Sequence, residues 1–209
     1  IRPLNLISKK EMSNTSVNSK LNNPSSLEKS SWVLSPEHFL ISDTISLSPC
    51  ADISWNNKGL QILFSLPFTD LISGDPAWFW DHTNAELFIA DENGKNPKQF
   101  WFIPVKENDK WILKVGEWKK RFDANAENIL DDIRCDTSMT YNGNEILGKV
   151  FIPNEALPQK IEQGKSFRIA YTFQAGKPMS IIYKASWPKT KGDGILDGPS
   201  HWGKIKFTE

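Results

Sequence analysis

Residues 51–66 read ADISWNNKGLQILFSL, and this stretch decides the fold class. Two runs rich in apolar residues, 51–55 and 60–66, flank the tetrapeptide at 56–59, Asn-Asn-Lys-Gly. Asn and Gly adopt the positive φ of a tight hairpin turn more easily than other residues do. The stretch therefore predicts a β-hairpin with its turn at residues 56–59.

Short apolar runs of the same kind continue along the chain. Clusters of Gly, Pro, Asn and Asp separate them, and no long amphipathic helix joins one run to the next. Further strands are predicted at 85–90, 99–105, 111–115, 146–152, 167–173, 179–186 and 204–207. One segment, 117–133, fits either a short helix or an ordered loop. This pattern predicts an all-β protein, built as an antiparallel sandwich or an open barrel.

The first 31 residues differ from the rest of the chain in composition. They are rich in Ser, Asn and Lys, and their apolar residues show no sustained period of 2 or 3.6. We therefore predict two parts, an extended polar arm at 1–31 and a β-sandwich domain at 32–209. An arm with no core of its own has to lie along its own sandwich or on a neighbouring molecule. If the neighbouring molecule is a second copy of this chain, the protein self-associates through residues 1–31.

The two cysteines leave two alternatives open. Cys50 and Cys135 form either one disulfide of an exported protein or two buried free thiols. The sequence begins at Ile rather than Met, which fits either a removed signal peptide or a trimmed start.

Charge and motifs exclude several classes of function. The 25 Lys and Arg residues are balanced by 25 Asp and Glu, which argues against nucleic-acid binding. No apolar run approaches the roughly 18 residues of a membrane span. Phosphate-binding loops, nucleophile elbows and HExxH motifs are absent, and the three histidines, His38, His82 and His201, are widely separated. The chain is therefore not expected to be an enzyme.

Nine tryptophans are the unusual feature of the composition. Such a surplus indicates either a Trp-rich core or exposed stacking platforms. Residues 78–89 read WFWDHTNAELFI, in which turn-forming residues lead into a strand. Alternation along that strand puts Glu86, Phe88 and Ala90 on one face and Leu87 and Ile89 on the other.

A carboxylate beside two tryptophans suits a sugar or a cation. Sugars present C–H faces that stack on aromatic rings and hydroxyls that need polar partners. In the alternative interpretation, the aromatic residues 78–80 close one end of the sandwich and Glu86 pairs with Lys98 or Lys114.

Several segments, in this order, resemble the family 9 carbohydrate-binding modules and their DOMON-type relatives. The matching segments are 53–62, 81–89, 98–104, 148–157, 164–169, 186–187 and 202–205. This resemblance spans nearly the whole chain after the arm. It implies an antiparallel β-sandwich and a non-catalytic binding module of an exported protein.

The resemblance also implies a ligand site. In that family a sugar end is held between aromatic side chains, which makes Trp80 and Trp187 the expected platforms, with Glu86 and Gln99 as hydroxyl partners. Two further tryptophans, Trp78 and Trp101, remain candidates for exposed platforms. Structural calcium is frequent in the family. Here, however, Asn84 stands where a second acidic residue is often found, which lowers the charge available for the ion.

Two alternatives come from the same superfamily. One is a haem-carrying subunit resembling the γ subunit of ethylbenzene dehydrogenase, in which a b-type haem would take Met139 or Met179 together with Lys184 or His201. The other is an accessory or assembly subunit of a larger exported complex, which would bind a partner protein rather than a sugar. Met179 is more simply a strand residue that fills core space.

Overall fold

The hairpin predicted at 51–66 lies at the centre of a five-stranded sheet. The structure is a computed structural model, and it describes residues 31–34, 37–41, 50–67, 71–119, 130–177, 180–188 and 194–207. The predicted arm lies outside the described residues except for Ser31, which begins the first strand. Its proposed self-association lies outside them as well.

Thirteen strands make up most of the described chain. They are β1 (Ser31–Leu34), β2 (Glu37–Ile41), β3 (Cys50–Asn56), β4 (Gly59–Pro67), β5 (Asn84–Asp91), β6 (Lys98–Glu107), β7 (Lys110–Trp118), β8 (Leu130–Asp132), β9 (Asp136–Tyr141), β10 (Glu145–Pro153), β11 (Ser166–Lys177), β12 (Ser180–Trp187) and β13 (Gly203–Lys206). Short 3-10 helices lie at Pro76–Asp81, Asn154–Ala156, Gly194–Asp197 and Pro199–His201.

The strands form two antiparallel sheets. The five-stranded sheet has the order β1-β3-β4-β10-β9, and the eight-stranded sheet has the order β2-β12-β11-β5-β6-β7-β8, with β13 paired to β11. The predicted all-β antiparallel sandwich is confirmed. The segment 117–133 has strand structure at both ends, in β7 and β8, and its middle lies outside the described residues.

The hairpin turn closes in a different way from the one predicted. None of residues 56–59 has a positive φ. Instead, the Asn56 side chain closes the turn, because its Oδ1 accepts hydrogen bonds from the N–H groups of Lys58 at 2.8 Å and Gly59 at 3.2 Å. Glycine is needed at 59 for space, since a Cβ there would clash with the Ile152 carbonyl oxygen.

The main core lies between the sheets and follows from alternation along the strands. On β4, Leu60, Ile62, Phe64 and Leu66 face the core, whereas on β5 the core residues are Ala85, Leu87 and Ile89. The predicted alternation of β5 is confirmed, because Phe88 and Ala90 pack in a separate cluster on the opposite face.

The two cysteines are free, and the strand register explains why they cannot pair. Cys50 on β3 lies opposite Ser65 on β4, and the same line of paired residues continues through Leu147 on β10 to Thr140 on β9. Thr140 is therefore three strands away from Cys50. Cys135 precedes Thr140 by five residues. At about 4.8 Å per strand and about 3.3 Å per residue, the two Cα atoms are roughly 20 Å apart. A disulfide needs less than about 7 Å. Burial raises the pKa of Cys135 to about 11 and raises that of Cys50 as well.

Candidate functional site

The outer face of the eight-stranded sheet, which points away from the main core, is itself largely buried. Two aromatic groupings cover parts of it. We call the first the Trp202 cluster, and it contains Phe88, Ala90, Ala170, Ile195 and Trp202 with Leu196 packed against it. We call the second the Trp80 cluster, and it contains Phe79, Trp101, Ile103 and Val105 with Trp80, Ile112 and Trp118 packed against it. A sheet covered on both faces needs apolar residues at consecutive positions, as β5 and β6 show.

A polar row crosses the same face. Ser186 lies opposite Thr172, Thr172 opposite Glu86, and Glu86 opposite Trp101, so the four residues occupy one line across four strands. We call Ser186, Thr172 and Glu86 the polar row. Glu86 is 8% exposed and Ser186 only 1%. Polar side chains are seldom buried to this extent unless a partner satisfies them.

Gln99 joins the polar row from the neighbouring strand. Its Nε2 donates a hydrogen bond to Glu86 Oε2 at 2.6 Å, and the side chain is fully buried. Of the two lysines considered as partners of Glu86, Lys98 Nζ contacts Glu117 at 3.5 Å and Lys114 Nζ contacts Glu107 at 2.8 Å. The structure therefore brings together the predicted pair Glu86 and Gln99.

Four buried polar atoms around this row have no hydrogen-bond partner within the described protein. They are Ser186 Oγ, Thr172 Oγ1, Gln99 Oε1 and Trp101 Nε1. Each such atom costs about 1–3 kcal/mol relative to a satisfied one. These are four of nine such atoms in the described residues, and their proximity marks a place where an outside molecule can supply the missing partners.

The predicted tryptophans fall into different environments. Trp78 is 59% exposed and is one of two exposed large apolar residues in the described chain, the other being Ile72. Trp80 is half-buried, and its ring lies 5.4 Å from that of Trp78 at an interplanar angle of 66°. These two residues form an aromatic surface on the 3-10 helix at 76–81.

Trp101 is not the exposed platform that the sequence suggested. It is 3% exposed, because its ring packs edge to face against Phe79 at 4.8 Å and against Trp118 at 6.2 Å. Its strand β6 is covered on the outer face by the Trp80 cluster. The indole N–H of Trp101 is one of the four unpartnered atoms.

Trp187 does not face Trp80. It lies opposite Tyr171, a residue of the main core, and packs against that core on the inner side of the sheet. Its ring also fills the space above Gly203, where a Cβ would lie 2.5 Å from the ring. The two expected platforms are therefore on opposite faces of the sheet.

Sequence reasoning missed Thr172 and Ser186. A signal was present in β11, whose residues 167–175 read FRIAYTFQA. The strand is buried on both faces, yet Thr172 and Gln174 are polar and two residues apart, which places both on the outer face.

Among the described residues, the proposed haem ligands Met139, Lys184 and His201 do not converge. Met139 lies on β9 and packs against the main core, beside β7. Lys184 lies on β12, four strand spacings from β7, or about 19 Å. His201 is exposed on the far side of the eight-stranded sheet, and Met179 lies outside the described residues.

Within the described ranges, no three His, Cys, Asp or Glu side chains are grouped closely enough to hold a metal ion such as the calcium that the resemblance implies. Likewise, no helix among those residues has the length and apolar character needed to cross a membrane.

Comparison with solved structures places the architecture. A family 9 carbohydrate-binding module from Caldicellulosiruptor kristjanssonii, solved in complex with glucose, matches with a TM-score of 0.57 and 15% identity over 83% of this chain and 84% of that one. The fold is that of a family 9 carbohydrate-binding module. A module from the same organism in complex with cellotriose matches with a TM-score of 0.55 and 14% identity, over 84% of this chain and 83% of that one.

A third similar structure is that of a protein from Bacteroides uniformis, described provisionally as carbohydrate-binding. It matches with a TM-score of 0.56 and 12% identity, over 83% of this chain and 85% of that one. No protein-family profile matches the sequence, and no curated protein matches it. At these identities the family 9 likeness concerns the fold.

Proposed function

We propose that this chain is a non-catalytic carbohydrate-binding module and that its site lies on the outer face of the eight-stranded sheet. The observation that supports this most directly is the group of unpartnered polar atoms around Glu86, next to the aromatic surface of Trp78 and Trp80. Similar folds solved with glucose and with cellotriose support the same ligand class.

The chemistry of the unpartnered atoms suits sugar hydroxyls. Gln99 Oε1 can only accept a hydrogen bond, Trp101 Nε1 can only donate one, and the hydroxyls of Thr172 and Ser186 can do both. A sugar hydroxyl both donates and accepts, so neighbouring hydroxyls of one ring can satisfy this mixed set. A ligand with donors only or acceptors only would leave part of the set unpaired.

Stacking on tryptophan supplies the apolar part of the binding energy. Trp78 presents more than half of its surface to solvent, and Trp80 is half-buried beside it. Because the unpartnered atoms are screened from solvent, a ligand reaches them by displacing a covering side chain. In this proposal a sugar ring first stacks on the exposed indole of Trp78. The hydroxyls of the sugar then displace the covering side chain and hydrogen-bond to the unpartnered atoms.

The test is a calorimetric titration against a panel that includes glucose and cellotriose. We expect Trp78→Ala and Glu86→Gln each to weaken binding about tenfold or more, the equivalent of about 1.4 kcal/mol. The first variant removes the stacking surface, and the second removes the carboxylate that holds Gln99 in place. Ile72→Ala is the matched control, since it removes the other exposed apolar side chain, at 40% exposure, and should leave the affinity unchanged. A flat titration of the unmodified protein across the panel would refute the proposal.

We further propose that the module is exported. This rests on the family 9 resemblance and predicts that the native protein is recovered from the extracytoplasmic fraction of its cells. Recovery with the cytoplasmic fraction alone would contradict it.

A further inference from the structure

The segment that carries Trp80 is held to the sheet by two amide side chains. Gln174 Nε2 donates hydrogen bonds to the carbonyl oxygens of Trp80 and His82, each at 2.8 Å. Asn84 Nδ2 donates to the carbonyl oxygens of Phe79 and His82, each at 2.9 Å. Four hydrogen bonds thereby fix three backbone carbonyl groups next to the aromatic surface, those of Phe79, Trp80 and His82.

The side chains of Gln174 and Asn84 are neighbours on adjacent strands. Gln174 on β11 and Asn84 on β5 lie directly opposite each other in register, and they are 6% and 2% exposed. Thr83 adds a third attachment, because its Oγ1 donates to the Gly176 carbonyl and accepts from the Gly176 N–H, each at 3.1 Å. We call Gln174 and Asn84 the amide clamp.

The clamp does not serve to join the strands that carry it. β5 and β11 are already paired over eight consecutive residue positions. Its four hydrogen bonds go instead to residues 79–82. These residues directly follow Trp78, where the 3-10 helix at 76–81 is kinked, with φ −128° and ψ 38°. The clamp therefore determines the path of a segment that is not regular by itself.

We propose that Gln174 and Asn84 are positioning residues, which set the location of Trp78 and Trp80 relative to the polar row. This inference rests on the proposed sugar site. A fixed backbone reduces the ordering cost of ligand binding, because fewer groups lose conformational freedom when the ligand binds. Neither amide needs to touch the ligand for this effect.

The experiment compares Gln174→Met with Gln159→Met. Methionine approximates the length of glutamine but cannot donate. Gln159 is a suitable control because its Nε2 also donates to a backbone carbonyl, that of Ser166 at 2.9 Å, in a part of the chain remote from the aromatic surface. Both proteins are labelled with 5-fluorotryptophan, and the ¹⁹F resonances of Trp78 and Trp80 are assigned by Trp→Phe substitution.

We expect Gln174→Met to shift and broaden the Trp80 resonance and to raise the Kd for the best panel sugar about tenfold, the equivalent of 1.4 kcal/mol. Gln159→Met should leave both the resonance and the Kd unchanged. Equal losses of affinity in the two variants, or an unmoved Trp80 resonance in Gln174→Met, would overturn the positioning role.

Failure of the proposed sugar binding can be distinguished from failure of the positioning role. If the unmodified protein binds no sugar of the panel, the fluorine spectra still report whether the clamp positions Trp80. A shifted resonance without sugar binding would leave the clamp supported and the ligand class wrong. An unmoved resonance with normal sugar binding would reject the clamp alone.

Discussion

The Trp202 cluster and the Trp80 cluster cover the same face of the same sheet, yet they differ in the hydrogen bonding of their buried indole N–H groups. Trp202 and Trp101 are each 3% exposed. The indole N–H of Trp202 donates to the Ile195 carbonyl oxygen at 2.8 Å. That of Trp101 finds no partner among the described residues. Two tryptophans with equal burial therefore differ in whether the protein satisfies their only donor.

Under the proposed function, this difference separates residues that only pack from residues that also bind a ligand. The Trp202 cluster covers an apolar patch of the sheet, where the ring centroids of Phe88 and Trp202 are 5.7 Å apart. In the Trp80 cluster, the aromatic cover lies next to Glu86, Gln99 and Thr172 and leaves Trp78 exposed. A cover that only stabilised the fold would be expected to satisfy the polar groups beneath it.

The largest expected contrast is between truncating Trp202 and truncating Trp78, the exposed residue whose ring packs against Trp80 beside the second cluster. Trp202→Ala should lower the free energy of unfolding by about 3–5 kcal/mol, because it empties a buried indole site. Trp78→Ala should change it by no more than about 0.5 kcal/mol, since the side chain is mostly exposed. Urea denaturation followed by circular dichroism measures both. Similar losses in the two variants would show that the Trp80 cover is structural as well.

Two threonines provide a second contrast of smaller size. Thr83 Oγ1 is hydrogen-bonded to Gly176 on both its donor and acceptor sides, whereas Thr172 Oγ1 has no partner in the described protein. Thr83→Val should therefore destabilise the fold by about 1–3 kcal/mol, because two backbone groups lose a partner.

Thr172→Val should have the opposite sign. It removes a buried hydroxyl that costs free energy, so the protein should gain about 1 kcal/mol of stability while its affinity for sugar falls. Thermal unfolding and a sugar titration are measured on the same samples. If Thr172→Val proved as destabilising as Thr83→Val, the hydroxyl would have a partner in the folded protein and the polar row would lose its best evidence.

The sequence predicted the sandwich because period-2 alternation and turn residues are local signals. The hairpin at 51–66 and the two-faced strand at 85–90 could be identified in this way. Glu86 and Gln99 were also identified, since the first lies in a marked polar segment and the second in a segment that resembles the family. Their contact at 2.6 Å follows from the pairing of β5 with β6, which are close in sequence.

The rest depended on contacts between distant parts of the chain. Thr172 and Ser186 become neighbours of Glu86 only when β11 inserts between β5 and β12. Trp187 was expected to form a platform together with Trp80, but its register with Tyr171 turns it toward the main core. A one-residue change in register reverses the face of every side chain in a strand, and sequence pattern alone did not fix the register of β12.

Replacing each buried indole by phenylalanine isolates the hydrogen bond from the packing. Trp202→Phe and Trp101→Phe remove the same atoms from sites of equal exposure, so their cavity costs should be similar. Only Trp202 also loses a hydrogen bond, which should make its variant less stable than the other by about 1 kcal/mol. Chemical denaturation of the two variants without ligand measures this difference. An equal loss would mean that the Trp101 N–H is satisfied in the free protein, for instance by a bound water, and that a sugar would have to displace that partner before it could bind there.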